Sequence, residues 1–109
     1  KKKIDAPSGT ALLLADAINE SMDNKFDYIY DRSQVREKRS NKEIGISAIR
    51  GGNIVGEHSV IYAGKDEIIE FTHFAHSKEV FAIGAVKASK FLSNKPAGKY
   101  DMQDIMNSL

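Results

Sequence analysis

Apolar residues recur at helical spacing early in the chain. Ala11, Leu14, Ala15, Ile18 and Met22 fall on one side, with Asp16, Asn19, Glu20 and Asp23 on the other. The spacing predicts a helix from Gly9 to about Asp23, its apolar arc widened by Leu12 and Leu13. Pro7 disfavours helix at Ala6, and Ser8 or Thr10 can supply the N-cap oxygen. Phe26 to Tyr30 then reads as a short strand of aromatic and β-branched residues. Residues 31–43 are polar with no hydrophobic period, which predicts a long exposed loop.

Further along, Ile44 to Ile49 reads as a strand, and Arg50, Gly51, Gly52 and Asn53 as a turn. Glu57 to Ala63 and Glu67 to Ala75 are strands flanking a Gly64-Lys65-Asp66 turn, an antiparallel hairpin. A second helix is predicted from Lys78 to about Leu92, capped by Ser77. Its inner face is Phe81, Ala85, Ala88 and Leu92; Val80, Ile83, Val86 and Phe91 make it apolar over a wide arc. Gly84 at its centre suggests close packing against another element. Asp101 to Ile105 can form a last helical turn.

These elements predict an α+β fold: a mixed, mostly antiparallel sheet of about four strands, helices on one face, and a long exposed loop after the first strand. Helices on one face leave the other bare. Tyr62, Phe71 and the isoleucines would then need a partner surface, which predicts a homo-oligomer.

Composition narrows the function. The 109 residues suit one domain, and 41% hydrophobic content permits a core. The 16 basic and 15 acidic residues nearly cancel, so nothing draws the whole chain to nucleic acid or an anionic membrane. Arg32, Arg36, Lys38, Arg39 and Lys42 cluster in the polar loop without interleaved aromatics, which reads as a solvated loop and not a nucleic-acid surface. With no cysteine, disulfides, thiolate metal sites and cysteine nucleophiles are excluded. No apolar run approaches the roughly 20 residues that span a bilayer, and no leader pattern is present; a cytoplasmic location is expected. The chain opens on Lys1 rather than Met, and we read it as a piece of a longer protein.

The candidate chemistry lies between Lys3 and Ala11. A lysine stands just ahead of a helix whose first amides have no internal acceptor and carry partial positive charge. Gly9 lets a ligand approach the backbone, and Thr10 adds a hydroxyl donor. Together they suit a carboxylate or phosphate, and the lysine can add a charge or a proton. Lys1 and Lys2, if near, would depress the Lys3 pKa by repulsion. An ordinary capped helix preceded by solvated lysines reads equally well from these residues alone. His58, His73 and His76 do not share one face at a period of two, so His58 and His73 read as hydrogen-bonded structural residues and not as a zinc site. Arg50 and Glu57 read as an ion pair shaping the turn between them, with a substrate or subunit contact as the functional alternative.

The string K-I-D-A-P-S-G-T-A, residues 3–11, resembles the dihydrodipicolinate reductase signature E-x-H-H-x-x-K-x-D-A-P-S-G-T-A. Further similar segments follow in order: Glu43-Ile44-Gly45, R-G-G-N-I-V-G-E-H at 50–58, Thr72-His73, F-A-I-G-A at 81–85 and G-K-Y-D-M at 98–102. The resemblance covers essentially the whole chain and implies the C-terminal substrate-binding and tetramerisation domain of that family. It implies Lys3 as proton donor, and Gly9 and Thr10 as the pair holding a carboxylate of a small cyclic dicarboxylate. It further implies reduction by NADH or NADPH in the full-length enzyme. The family's paired histidines would precede Lys1, and its dinucleotide-binding domain is not in this sequence. The 109 residues alone are therefore expected to bind no cofactor and to be inactive, and residues from about 88 to 109 to pack on the nucleotide-binding domain. A stand-alone anion-binding module and a purely structural oligomerisation module are the competing functions.

Overall fold

The computed structural model describes residues 3–109. They divide into two units, one ending at Phe74 and the other beginning at Ala75.

The first unit opens with helix α1, Gly9–Ser21. Ser8 is its N-cap, in extended conformation, and its side chain accepts a hydrogen bond from the Ala11 amide. The helix stops short of the expected Asp23. Asp23 and Asn24 adopt left-handed φ values of 59° and 55°, a region that Asp and Asn tolerate better than most residues. Asn19 also departs from its expected place on the solvent face, because it is buried. Its amide Nδ2 donates to the Phe26 carbonyl at 2.9 Å, and its Oδ1 accepts from the Phe26 amide at 3.0 Å. The side chain thus acts as a strand partner where the chain turns back. Tyr28 donates to Asp16 at 2.7 Å, and this bond raises the phenol pKa above its usual value.

Strands β1 (Asp27–Ile29) and β2 (Glu43–Gly45) pair in parallel, with Tyr28 opposite Ile44. A parallel pair needs a crossover of roughly a dozen residues or more, which accounts for the long polar loop. That crossover, residues 30–42, is irregular and is pinned from within. Arg32 bridges to Glu43 at 2.7 Å and donates to the Glu37 carbonyl at 2.9 Å. The other carboxylate oxygen of Glu43 accepts from the Ser40 amide.

Strands β3 (Gly56–Ala63) and β4 (Ile68–Ala75) form the antiparallel hairpin, closed where the Gly64 amide meets the Glu67 carbonyl at 2.9 Å. Tyr62 and Phe71 meet edge to face across it, with ring centroids 6.2 Å apart. Together with Val60 and the α1 residues Leu14, Ala17, Ile18 and Ser21, they line a groove of about 380 Å³.

The expected single sheet of about four strands is corrected. The described residues form two separate two-stranded sheets, one parallel and one antiparallel. β2 also ends well before the expected Ile49. Its partner β1 has only three residues, and after the Ile46 amide bonds the Ile29 carbonyl at 2.8 Å the ladder has no further register. Residues 50–55 then bond to the segment ahead of α1 instead of to another strand.

In the second unit, α2 spans Glu79–Leu92 and α3 spans Met102–Met106. The α2 N-cap is Lys78 and not Ser77, although the Ser77 hydroxyl still accepts from the Glu79 amide at 3.1 Å. No residue of α2 is buried; of its expected inner face, Phe81, Ala85 and Leu92 are exposed and Ala88 is half-buried. A Cβ on Gly84 would meet nothing within 4 Å, so among the described residues no element packs closely on it. Asp101 and Asp104 form a reciprocal capping box on α3. The Phe91 ring packs edge to face on Tyr100 and lies under Lys95 Nζ at 4.4 Å.

Candidate functional site

Nothing in the Lys3–Ser8 segment is helix or strand, so contacts with distant residues must hold it. Three of them do. Lys3 Nζ donates to the Val55 carbonyl at 2.7 Å. The Arg50 guanidinium donates to the Asp5 carbonyl through Nε at 2.9 Å and through Nη2, while Nη1 holds the Ile49 carbonyl at 3.0 Å. Ser8 Oγ lies 2.9 Å from His58 Nε2. The turn and first residues of β3 therefore cradle the approach to α1. Two chain segments about fifty residues apart form one constellation.

Gly9 and Thr10 are the first two residues of α1, and both are exposed. With the Ala11 amide on Ser8 Oγ and the Leu12 amide on the Ser8 carbonyl, the Gly9 and Thr10 amides have no acceptor among the described residues. A Cβ on Gly9 would meet nothing within 4 Å, so the backbone there is open to a ligand. The first turn of α1 carries no acidic side chain, and an incoming anion meets no like charge on it. Beside the cradle, Ala6 and Pro7 join Tyr30, Asp31, Ile46, Ser47 and Ala48 around an open depression of about 350 Å³. Hydrogen bonds from Ser33 hold the Asp31 carboxyl below its usual pKa.

The structure thus brings Gly9 and Thr10 together at one helix mouth and places the Lys3 amine at the approach to β3. One of the three ammonium donors is committed to Val55, leaving two. Lys1 and Lys2, expected to influence Lys3, lie outside the described residues. Of the two histidines expected to be hydrogen-bonded, His58 is, whereas His73 is exposed and makes no side-chain hydrogen bond among the described residues. The expected Arg50–Glu57 ion pair is corrected: Arg50 turns to backbone carbonyls, and among the described residues the ion pairs are Lys25–Asp23 and Arg32–Glu43. Sequence reading missed His58 as a neighbour of the site, and for Arg50 it preferred the ion pair to a substrate contact. Their only signal was their place in the second similar segment, since no local period links residues so far apart. Among the described residues, no three His, Asp or Glu side chains gather as a metal-binding group, and no helix is long and apolar enough to cross a membrane.

The family model described as "Dihydrodipicolinate reductase, C-terminus" matches residues 1–106. The chain belongs to this family. Among its relatives is the "4-hydroxy-tetrahydrodipicolinate reductase" of Clostridium tetani, 58% identical over 107 residues, or 98% of this chain and 42% of the relative. The protein of the same name from Caldanaerobacter subterraneus subsp. tengcongensis is 54% identical over 104 residues, 95% of this chain and 41% of the relative. That of Staphylococcus carnosus is 56% identical over 106 residues, 97% of this chain and 43% of the relative. The chain thus spans about two fifths of the length of these curated relatives. Both segments of the cradle fall within the span matched by the dihydrodipicolinate reductase C-terminal family.

Proposed function

We propose that this chain is the substrate-binding half of a reductase that converts 4-hydroxy-tetrahydrodipicolinate to tetrahydrodipicolinate in lysine and diaminopimelate biosynthesis. The observation that carries this reading is the meeting of residues 3–8 with residues 50–58 around the start of α1. Family membership and the names of the relatives support it.

In this reading the Gly9 and Thr10 amides and the Thr10 hydroxyl take one carboxylate of the cyclic dicarboxylate. Lys3 is the general acid: an ammonium suits a site where the reduced ring must gain a proton. The two remaining Lys3 ammonium donors would turn to the bound dicarboxylate, which accepts from them. Arg50 holds the Asp5 carbonyl and so fixes the path of the backbone into the helix.

NADH or NADPH supplies hydride in the full-length enzyme. The parallel strand pair β1–β2 is joined by residues 30–42, which contain neither glycine nor helix, so these residues do not offer a dinucleotide cradle. The 109 residues by themselves would accordingly bind substrate but not turn it over. In the full-length protein, residues from about 88 onward would pack on the nucleotide-binding domain, and the hairpin would build a tetramer.

Lys3→Met in the full-length protein tests the assignment. The turnover number should fall by about a hundredfold or more, the usual worth of a positioned proton donor. Affinity for pyridine-2,6-dicarboxylate, a planar analogue, should fall far less, whereas Thr10→Val should weaken that affinity. Unchanged turnover in a folded Lys3→Met variant would remove Lys3 from the chemistry.

A further inference from the structure

We infer that His58 is a positioning residue that decides whether the Ser8 hydroxyl proton is available to the bound dicarboxylate. The inference rests on the substrate site proposed above, and the hydrogen bonds of Ser8 carry it. A serine hydroxyl has one proton and two lone pairs. One lone pair of Ser8 Oγ is taken by the Ala11 amide at 3.2 Å. The other hydrogen-bond partner of the hydroxyl among the described residues is His58 Nε2 at 2.9 Å, in a part-buried setting.

Two arrangements satisfy this geometry. If Nε2 is bare, the hydroxyl donates to the ring, and Ser8 has nothing left to offer a ligand. If Nε2 carries a proton, the ring donates to the second lone pair of Oγ, and the hydroxyl proton is released. The proton would then stand beside the two unaccepted amides of Gly9 and Thr10. An anion held by the Gly9 and Thr10 amides and the Thr10 hydroxyl gains the Ser8 hydroxyl as a further donor only in the second arrangement, so its binding selects the Nε2–H form of His58. The histidine never touches the ligand; it acts through Ser8. His58 is also well placed to hold its orientation, because it sits on β3 three residues after Val55, which anchors Lys3. One strand end therefore sets both the proton donor and the N-cap.

Titration of the full-length protein with pyridine-2,6-dicarboxylate tests this. His58→Leu removes the ring N–H that fills the second lone pair and holds the hydroxyl toward the ligand, leaving the proton free to turn to water, and should raise the dissociation constant about fivefold. His58→Gln retains an N–H donor and should stay within about twofold of the parent. In a Ser8→Ala background, His58→Leu should add nothing further. In ¹⁵N-histidine-labelled parent protein saturated with the analogue, the His58 Nε2 resonance should report a protonated nitrogen. This last measurement needs no variant to fold.

A folded His58→Leu protein that binds as tightly as the parent, or a bare Nε2 in the saturated complex, overturns the inference and leaves the substrate site standing. Failure of the parent itself to bind the analogue overturns the site, and with it the role of His58.

Discussion

Asn19 shows how a single polar side chain can hold a corner of this fold. On the helix wheel it belongs with Asp16 and Glu20, facing water. In the structure it is buried and bonds both backbone groups of Phe26. Replacing it with leucine would improve the apolar face on paper yet leave the Phe26 amide and carbonyl unpaired. We expect Asn19→Leu to lose about 2 kcal/mol of stability, the cost of stranding such groups where water is scarce. Urea denaturation measures this, and an equal or higher midpoint would refute the role given to Asn19. The sequence could not show it, because an asparagine on a helix reads alike whether it meets solvent or a returning strand.

Among the elements, the crossover between β1 and β2 carries the clearest prediction. It has no helix of its own, and its order depends on the Arg32–Glu43 pair, whose side chains keep only 27% and 17% of their exposure. Arg36, Lys38 and Arg39 lie within it as trypsin sites and are exposed. Breaking the pair with Arg32→Met should loosen the segment by about 1 kcal/mol and speed tryptic cleavage there by about fivefold. Glu43→Gln should act in the same direction. Limited proteolysis followed by mass mapping reads the rate site by site, and unchanged cleavage would show that other bonds order the loop. The segment was legible in sequence as a polar loop. Its job as a parallel crossover was not, since strand direction depends on which strand the chain returns to.

For the whole molecule, the area left in water dominates. The buried apolar residues of the chain, among those described, are Ala15, Ile46 and Ala75. On the hairpin, Val60, Tyr62 and Phe71 face the α1 groove, so alternation turns Ile61, Ile68 and Phe74 to the other side, where Ser59 bonds Thr72. Ile61, Ile68 and Phe74 are 59%, 71% and 55% exposed, an apolar surface suited to another copy of the chain. Phe74→Asp should therefore shift the sedimenting species to a lower mass at micromolar concentration. A parent protein that is already a stable monomer there would end the oligomer proposal.

By itself the sequence determined the order of the elements, an N-cap at Ser8 or Thr10 and the family resemblance, and from that resemblance it proposed three site residues. Those features are written in local periodicity, capping chemistry and contiguous strings, which need no knowledge of distant partners. Only the tertiary structure decided that the strands part into two sheets, that Arg50 serves a backbone carbonyl instead of Glu57, and that His58 meets Ser8. Each of these depends on which remote groups share a few ångströms of space. Hydrogen bonding is decided at that range, and spacing along the chain does not reveal it.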